Sequence, residues 1–114
     1  MNKQRELKFR FYDKTDKRMN YFGGIWNMPD PSYDFDDIQQ FTGLLDKNGK
    51  EIYEGDITQD VDTGKTFEIM YQGHMFMRYE RKPMYMFYTL DGDCLEVIGN
   101  IYENPELIGE RHED

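Results

Sequence analysis

The chain has 114 residues, the length of one ordinary domain, and sets 14 Lys and Arg against 23 Asp and Glu for a net charge of −9. That sign repels a phosphate backbone, which counts against direct nucleic-acid binding, and the longest apolar run, Met84 to Leu90, is a strand's length rather than the roughly 18 to 20 residues of a membrane helix. The lone cysteine, Cys94, cannot close an internal disulfide, and the charged start from Met1 to Arg10 has no apolar segment behind it to make a signal peptide, so a cytoplasmic setting is expected.

The chain has no Ala and a single Ser, Ser32, but 9 Tyr and 8 Phe, a usage that disfavours helices and suits strands. From Glu6 to Tyr12 residues alternate, with Leu7, Phe9 and Phe11 on one side and Glu6, Lys8 and Arg10 on the other, the pattern of a half-buried strand. The polar run Asp13 to Arg18 turns the chain, and Met19 to Phe22 pairs back on the first strand. Residues Asn27 to Asp37, with two prolines and four aspartates, read as a surface loop and the most mobile segment. Ile38 to Leu45 fits a helical stripe in part, but Thr42 and Gly43 oppose one, and the segment is read as extended.

Asn48-Gly49 is the pair that tolerates positive φ at both centres of a type I′ turn, so Leu44 to Lys47 and Lys50 to Tyr53 are expected to form a hairpin. A strand then opens at Asp56 and runs to Val61, Asp62-Thr63-Gly64 turns it, and Thr66 to Tyr71 returns with Phe67, Ile69 and Tyr71 on one face. Gln72-Gly73-His74 is the next turn, Met75 to Arg81 the next strand, and Pro83 interrupts before Met84 to Leu90. Leu95 to Ile98 follows Asp91-Gly92-Asp93, and Asn104-Pro105 suits the start of one helical turn. Without an internal repeat or a low-complexity tract, residues 1–114 are read as one mainly β domain, a small pseudobarrel or β-sandwich of short antiparallel strands with at most one or two short helical turns.

Chemistry is sparse. Ser32 lacks a Gly-x-Ser-x-Gly elbow, and its possible bases are His74 and His112. Cys94 sits between Asp93 and Leu95, where an acidic neighbour raises a thiol's pKa instead of activating it. Asp60 to Glu68 resembles part of a calcium loop, but its glycine comes one position early and no Glu holds the twelfth position, so a hairpin turn explains it better. Asp34, Asp36 and Asp37, or Asp91 and Asp93, would make an acid–base pair or a hard-cation site only if the fold gathered them; solvated acidic turns are the plain alternative. One Cys and two His do not complete a zinc site, and Gly43 to Glu51 lacks the Ser or Thr of a P-loop. Neither catalytic residues, a metal nor a cofactor is therefore assigned.

The richest signal is the band Met75, Phe76, Met77, Tyr79, Met84, Tyr85, Met86, Phe87 and Tyr88. Alternate strand residues face opposite ways, so a continuous band puts large soft side chains on both faces of a sheet. Either the chain's own N-terminal strands cover the second face or a subunit or partner does, and Met75, Met77, Tyr79, Met84, Met86 and Tyr88 are taken as the candidate interface.

Gln40 to Ile57 and Leu95 to Leu107 closely resemble signatures of the YopX family of small phage and prophage proteins, and Glu6 to Asp13 resembles that family's opening strand. Thr58 to Asp93 matches in pattern only, with Thr58 where the family has a hydrophobic residue. The resemblance implies a β-rich pseudobarrel and a phage or prophage origin, and brings no catalytic residues. Its motif residues read as architectural: Asn48, Gly49, Gly55 and Asp56 are assigned to turns, with Asp56 bonding nearby backbone. The expectation is a non-enzymatic interaction protein, a homo-oligomer or a binder of a host or phage protein. The alternatives are an acidic nucleic-acid mimic using Asp30, Asp34, Asp36, Asp37, Asp91 and Asp93, and a metal-dependent enzyme built on carboxylates and His74.

Overall fold

The computed structural model describes residues 7–23, 38–81 and 85–108. These form two antiparallel sheets, the first from β1 (Lys8–Asp13), β2 (Arg18–Gly23), β3 (Ile38–Leu45) and β4 (Glu51–Tyr53) in the order β2-β1-β3-β4. The second contains β5 (Asp56–Asp60), β6 (Thr66–Gln72), β7 (Met75–Glu80), β8 (Met86–Thr89) and β9 (Leu95–Asn100) in the order β8-β7-β6-β5-β9. Short 3-10 turns at Gly92–Cys94 and Pro105–Ile108 are the helical elements among the described residues. The fold is all-β, as the composition implies.

Local chemistry explains the turns. Asp13 Oδ1 accepts from the amides of Thr15 and Asp16, closing the β1–β2 connection so that Phe9 lies opposite Phe22 and their rings stack at 5.5 Å. Ile38 to Leu45 is extended, and its register against β4 shifts between Phe41 and Leu45, around Thr42-Gly43. The type I′ turn, however, is not at Asn48-Gly49. Only Gly49 of that pair has positive φ, because Asp46 Oδ1 takes the amides of Asn48 and Lys50 and spreads the connection over Asp46 to Lys50. Positive φ at both centres occurs instead at Gly73 and His74, 61° and 74°, the two-residue loop between Gln72 and Met75.

The core contains Phe11, Phe41, Ile52, Tyr53, Ile57, Phe67, Ile69, Leu95 and Ile108, drawn from both sheets. Ile52, Ile57 and Leu95 are wholly enclosed, and each such side chain stabilises by about 1.5–3 kcal/mol. Three expectations need correction. Leu7 and Tyr71, placed on buried faces by alternation, are exposed, while Arg10, placed on the solvent side of β1, is among the most buried residues. β1 is flanked by β2 and β3 and one of its faces meets the second sheet's first residue, Asp56, so Arg10 is shut away from water while Lys8, at the strand's start, stays half-exposed. The surface loop expected at Asn27 to Asp37 lies outside the described residues.

Candidate functional site

Two regions concentrate functional groups, and the first is the joint where β4 passes into β5. The chain turns there through Glu54-Gly55, and Asp56 Oδ2 accepts from the Tyr53 amide at 2.7 Å. Gly55 has φ 87°, and a Cβ there would stand 1.9 Å from Gln39 Nε2, so no other residue fits without moving Gln39. Arg10 fills the angle between the sheets. Its Nη2 lies 2.8 Å from Asp56 Oδ1 and donates to the Glu54 carbonyl, its Nε donates to Gln39 Oε1, and its guanidinium stacks 4.7 Å from the Tyr53 ring centre. Burial pushes the Asp56 carboxyl upward, and Arg10 and the Tyr53 amide only partly offset it.

Asp46 ties the other end of the joint. Its Oδ2 accepts from the Val97 amide while Lys47 N–H donates to the Leu95 carbonyl, so the β3–β4 loop is bonded to β9. Burial pushes the Asp46 carboxyl up, but the amides of Val97, Lys50 and Asn48 outweigh it and hold the group below its ordinary value. A cleft of about 420 Å³ opens beside the joint, with Arg10, Tyr21, Lys50, Tyr53 and Glu103 among its walls. Its strongest groups are already engaged with one another, and the Tyr53 hydroxyl is pushed upward by burial and by Glu51. The joint is built to hold two sheets together, and its buried charges, Arg10 and Asp56, are spent on each other.

The second region is the outer ribbon of β7 and β8. Register decides which side chains meet: Met77 opposes Thr89, Arg78 opposes Tyr88, Tyr79 opposes Phe87 and Glu80 opposes Met86. Met75, Met77, Tyr79 and Phe87 therefore share one face with Met70 of β6, and Met86 and Tyr88 project from the other. On the first face Tyr79 and Phe87 lie 4.7 Å apart, Arg81 bonds Glu68 at 3.0 Å, and Met75 (50% exposed) and Phe87 (37%) open to solvent. On the second face Arg78 sits between the rings of Phe67 (4.7 Å) and Tyr88 (5.5 Å) and pairs with Asp60 at 3.6 Å. There the Tyr88 hydroxyl donates to Glu80 Oε1, a bond that pushes its pKa upward.

The six residues taken as one interface are thus divided: Met75, Met77 and Tyr79 lie on one face, Met86 and Tyr88 on the other, and Met84 lies outside the described residues. Phe87, left off the candidate set, belongs with the first group. A period-2 count along each strand separates odd from even positions, but only the strand pairing reveals which parity of β8 joins which parity of β7. Arg10 and Asp46 were also missed as site residues; a buried Asp56 demands a cation, and that demand was the available signal.

The other candidates stay apart from any shared chemistry. His74 is exposed at its turn and lines a cleft of about 350 Å³ with Glu54 and Tyr71. The Cys94 thiol is pushed up by burial and by Asp62, Asp60, Asp91 and Asp93. Among the described residues no group of three or more His, Cys, Asp or Glu is placed to hold a metal ion. Ser32 and His112, with Asp30, Asp34, Asp36 and Asp37, lie outside the described residues. Among the described residues, too, no helix is long and apolar enough to cross a membrane.

Comparison with known proteins agrees with this architecture. The family model described as YopX protein matches residues 27–109. The crystal structure of protein EF1440 from Enterococcus faecalis is similar to the chain with a TM-score of 0.63 and 27% identity, over 90% of this chain and 97% of that one. No curated protein matches it.

Proposed function

The chain belongs to the YopX family, and from that premise we propose that it is a non-enzymatic, phage- or prophage-encoded protein-binding module whose contact surface is the Met75–Met77–Tyr79–Phe87 face of the β7–β8 ribbon. The observation that carries this reading is the exposure of Met75 and Phe87 beside Tyr79 and Met77 in a chain otherwise rich in charge. Aromatic and Met side chains adapt to a partner and contribute contact area, and contiguous apolar surface on a small acidic protein marks an interaction site. The raised pKa of Cys94 and the engaged groups at the joint support a role without bond-breaking.

A second reading is favoured by one observation, the grouping of Asp60, Asp62, Asp91 and Asp93 around Cys94: an acidic surface that occupies a basic nucleic-acid groove. One experiment separates the two. A photo-crosslinking residue is placed at Phe87, at Leu107 as an apolar control, or at Asp93, and crosslinking is done in cells and then in extract at low and high salt. The ribbon reading expects protein adducts from position 87 that survive high salt and few from 107. Adducts confined to position 93 and lost with salt would favour the mimic, since screening weakens exposed charge contacts. No protein adduct from position 87 rejects the ribbon reading.

A further inference from the structure

Sheet edges expose backbone donors and acceptors that seek a partner strand, and folded proteins defend them with charge, proline or brevity. The four edge strands here are not defended alike. β2 carries Arg18, β4 carries Glu51 and β9 carries Glu96, whereas β8, Met86-Phe87-Tyr88-Thr89, carries no charge at all. Among the described residues β8 pairs with β7 alone, so its outer backbone edge is open. Its flanks Tyr85 and Leu90 are uncharged as well, and Tyr85, Met86 and Phe87 are exposed.

We propose that β8 is the seam at which two copies of this chain join, β8 pairing antiparallel with β8 about a two-fold axis to make one continuous sheet. The inference rests on the ribbon reading above and assigns the ribbon's backbone edge, beside that face, to a second copy of this chain. Identical strands pair in this way without any second surface, because a two-fold contact is self-complementary by construction. Net charge selects the place. Two bodies of −9 repel, and the uncharged edge lets their backbones close to hydrogen-bonding distance without setting like charges opposite one another.

Side-chain chemistry selects the register. A two-fold axis perpendicular to the sheet keeps each face continuous, so an odd-numbered residue must oppose an odd one and an even residue an even one. With Phe87 opposite its own counterpart, Met86 lies opposite Tyr88 of the second copy, which sets a thioether against a ring, a favourable contact. The Tyr79–Phe87 ring pair then continues across the axis, and the Met77–Tyr79–Phe87 surface becomes a single band shared by both copies.

Sedimentation of the full chain tests this. Wild type is expected to form a species of twice 13.8 kDa at high micromolar concentration. Phe87→Lys, which sets two like charges against each other at the axis, is expected to weaken the dimer by about tenfold or more while circular dichroism stays unchanged. Leu107→Lys, at an exposed apolar site on the Pro105–Ile108 turn and outside β7 and β8, is expected to leave the dimer intact. In a Cys94→Ser background, Phe87→Cys should link to itself on mild oxidation. A wild-type monomer, a dimer indifferent to Phe87→Lys, or a dimer in which Phe87→Cys fails to link each overturns the self-pairing. A wild-type monomer whose position 87 still crosslinks to another protein in cells overturns the self-pairing alone and leaves the ribbon reading standing; loss of both ends the ribbon reading too.

Discussion

Arg10 lies against one aromatic ring and Arg78 against two, and each pairs with one aspartate, yet they sit in opposite surroundings. Arg10 is 3% exposed and lies 2.8 Å from Asp56, whereas Arg78 is 21% exposed and 3.6 Å from Asp60. The carboxyl partners respond in opposite directions. Asp56 is pushed up by burial; Asp60 is held low, first by the amide of Asp62 and then by that of Thr63, with burial opposing. One pair closes two sheets around a charge that water has abandoned, and the other lies on a ribbon that stays open. The lesson is that the same residue types make a joint or a surface according to how many layers cover them.

The largest expected effect tests that contrast directly. Arg10→Met leaves Asp56 buried without its partner and should cost about 3–5 kcal/mol in chemical denaturation, while Arg78→Met should cost about 1–2 kcal/mol, the scale of a partly exposed pair plus two ring contacts. Equal losses would break the comparison. Pairing Arg10→Met with Asp56→Leu should return part of the stability, because an uncharged joint leaves no stranded ion.

A smaller effect is expected at Asp46. Asp46→Ala removes the acceptor of three amides and should cost about 2–3 kcal/mol. The same group sets the acid limb of stability. Because its folded pKa lies below its unfolded value, near 3.8, its contribution is full above that value and is lost as pH falls through the folded one, so Asp46→Asn should flatten the acid fall of a stability–pH curve below pH 3.8. Asp56 carries the opposite sign: its contribution is full below pH 3.8 and declines as pH rises through its raised folded value. An unchanged acid limb in Asp46→Asn would show that other carboxylates govern it. The smallest effect on stability belongs to the ribbon, where Met75→Lys should stay within about 0.5 kcal/mol of wild type, yet partner crosslinking from position 87 should fall.

Much of the fold could be read in the residues. Alternation located β1, β6 and β7, and the Gly-rich and Asp-rich turns bounded them, since period and punctuation are local properties. Arg10 could not be read this way, because the alternation of Lys8 and Arg10 signals a solvent face and nothing nearby in the sequence announces a second sheet above it. The turn at Asn48-Gly49 was misjudged for a related reason: the dipeptide permits a tight turn, but Asp46 offers its amides a better acceptor and wins. The ribbon was legible in composition and not in arrangement. Which of Met86 and Phe87 joins Tyr79 is set by the register of β8 on β7, and a shift of one residue in that register would exchange the two faces.

The bond from the Val97 amide to Asp46 spans 51 positions of the sequence, and Lys47 reaches Leu95 in the same place. Such closure is slow to find, because a long segment must be ordered before either contact rewards it. During synthesis the β3–β4 loop therefore waits, its carboxylate in water, until the last strand has left the ribosome, and a chain halted before residue 97 would hold hairpins without the clasp that makes them one body.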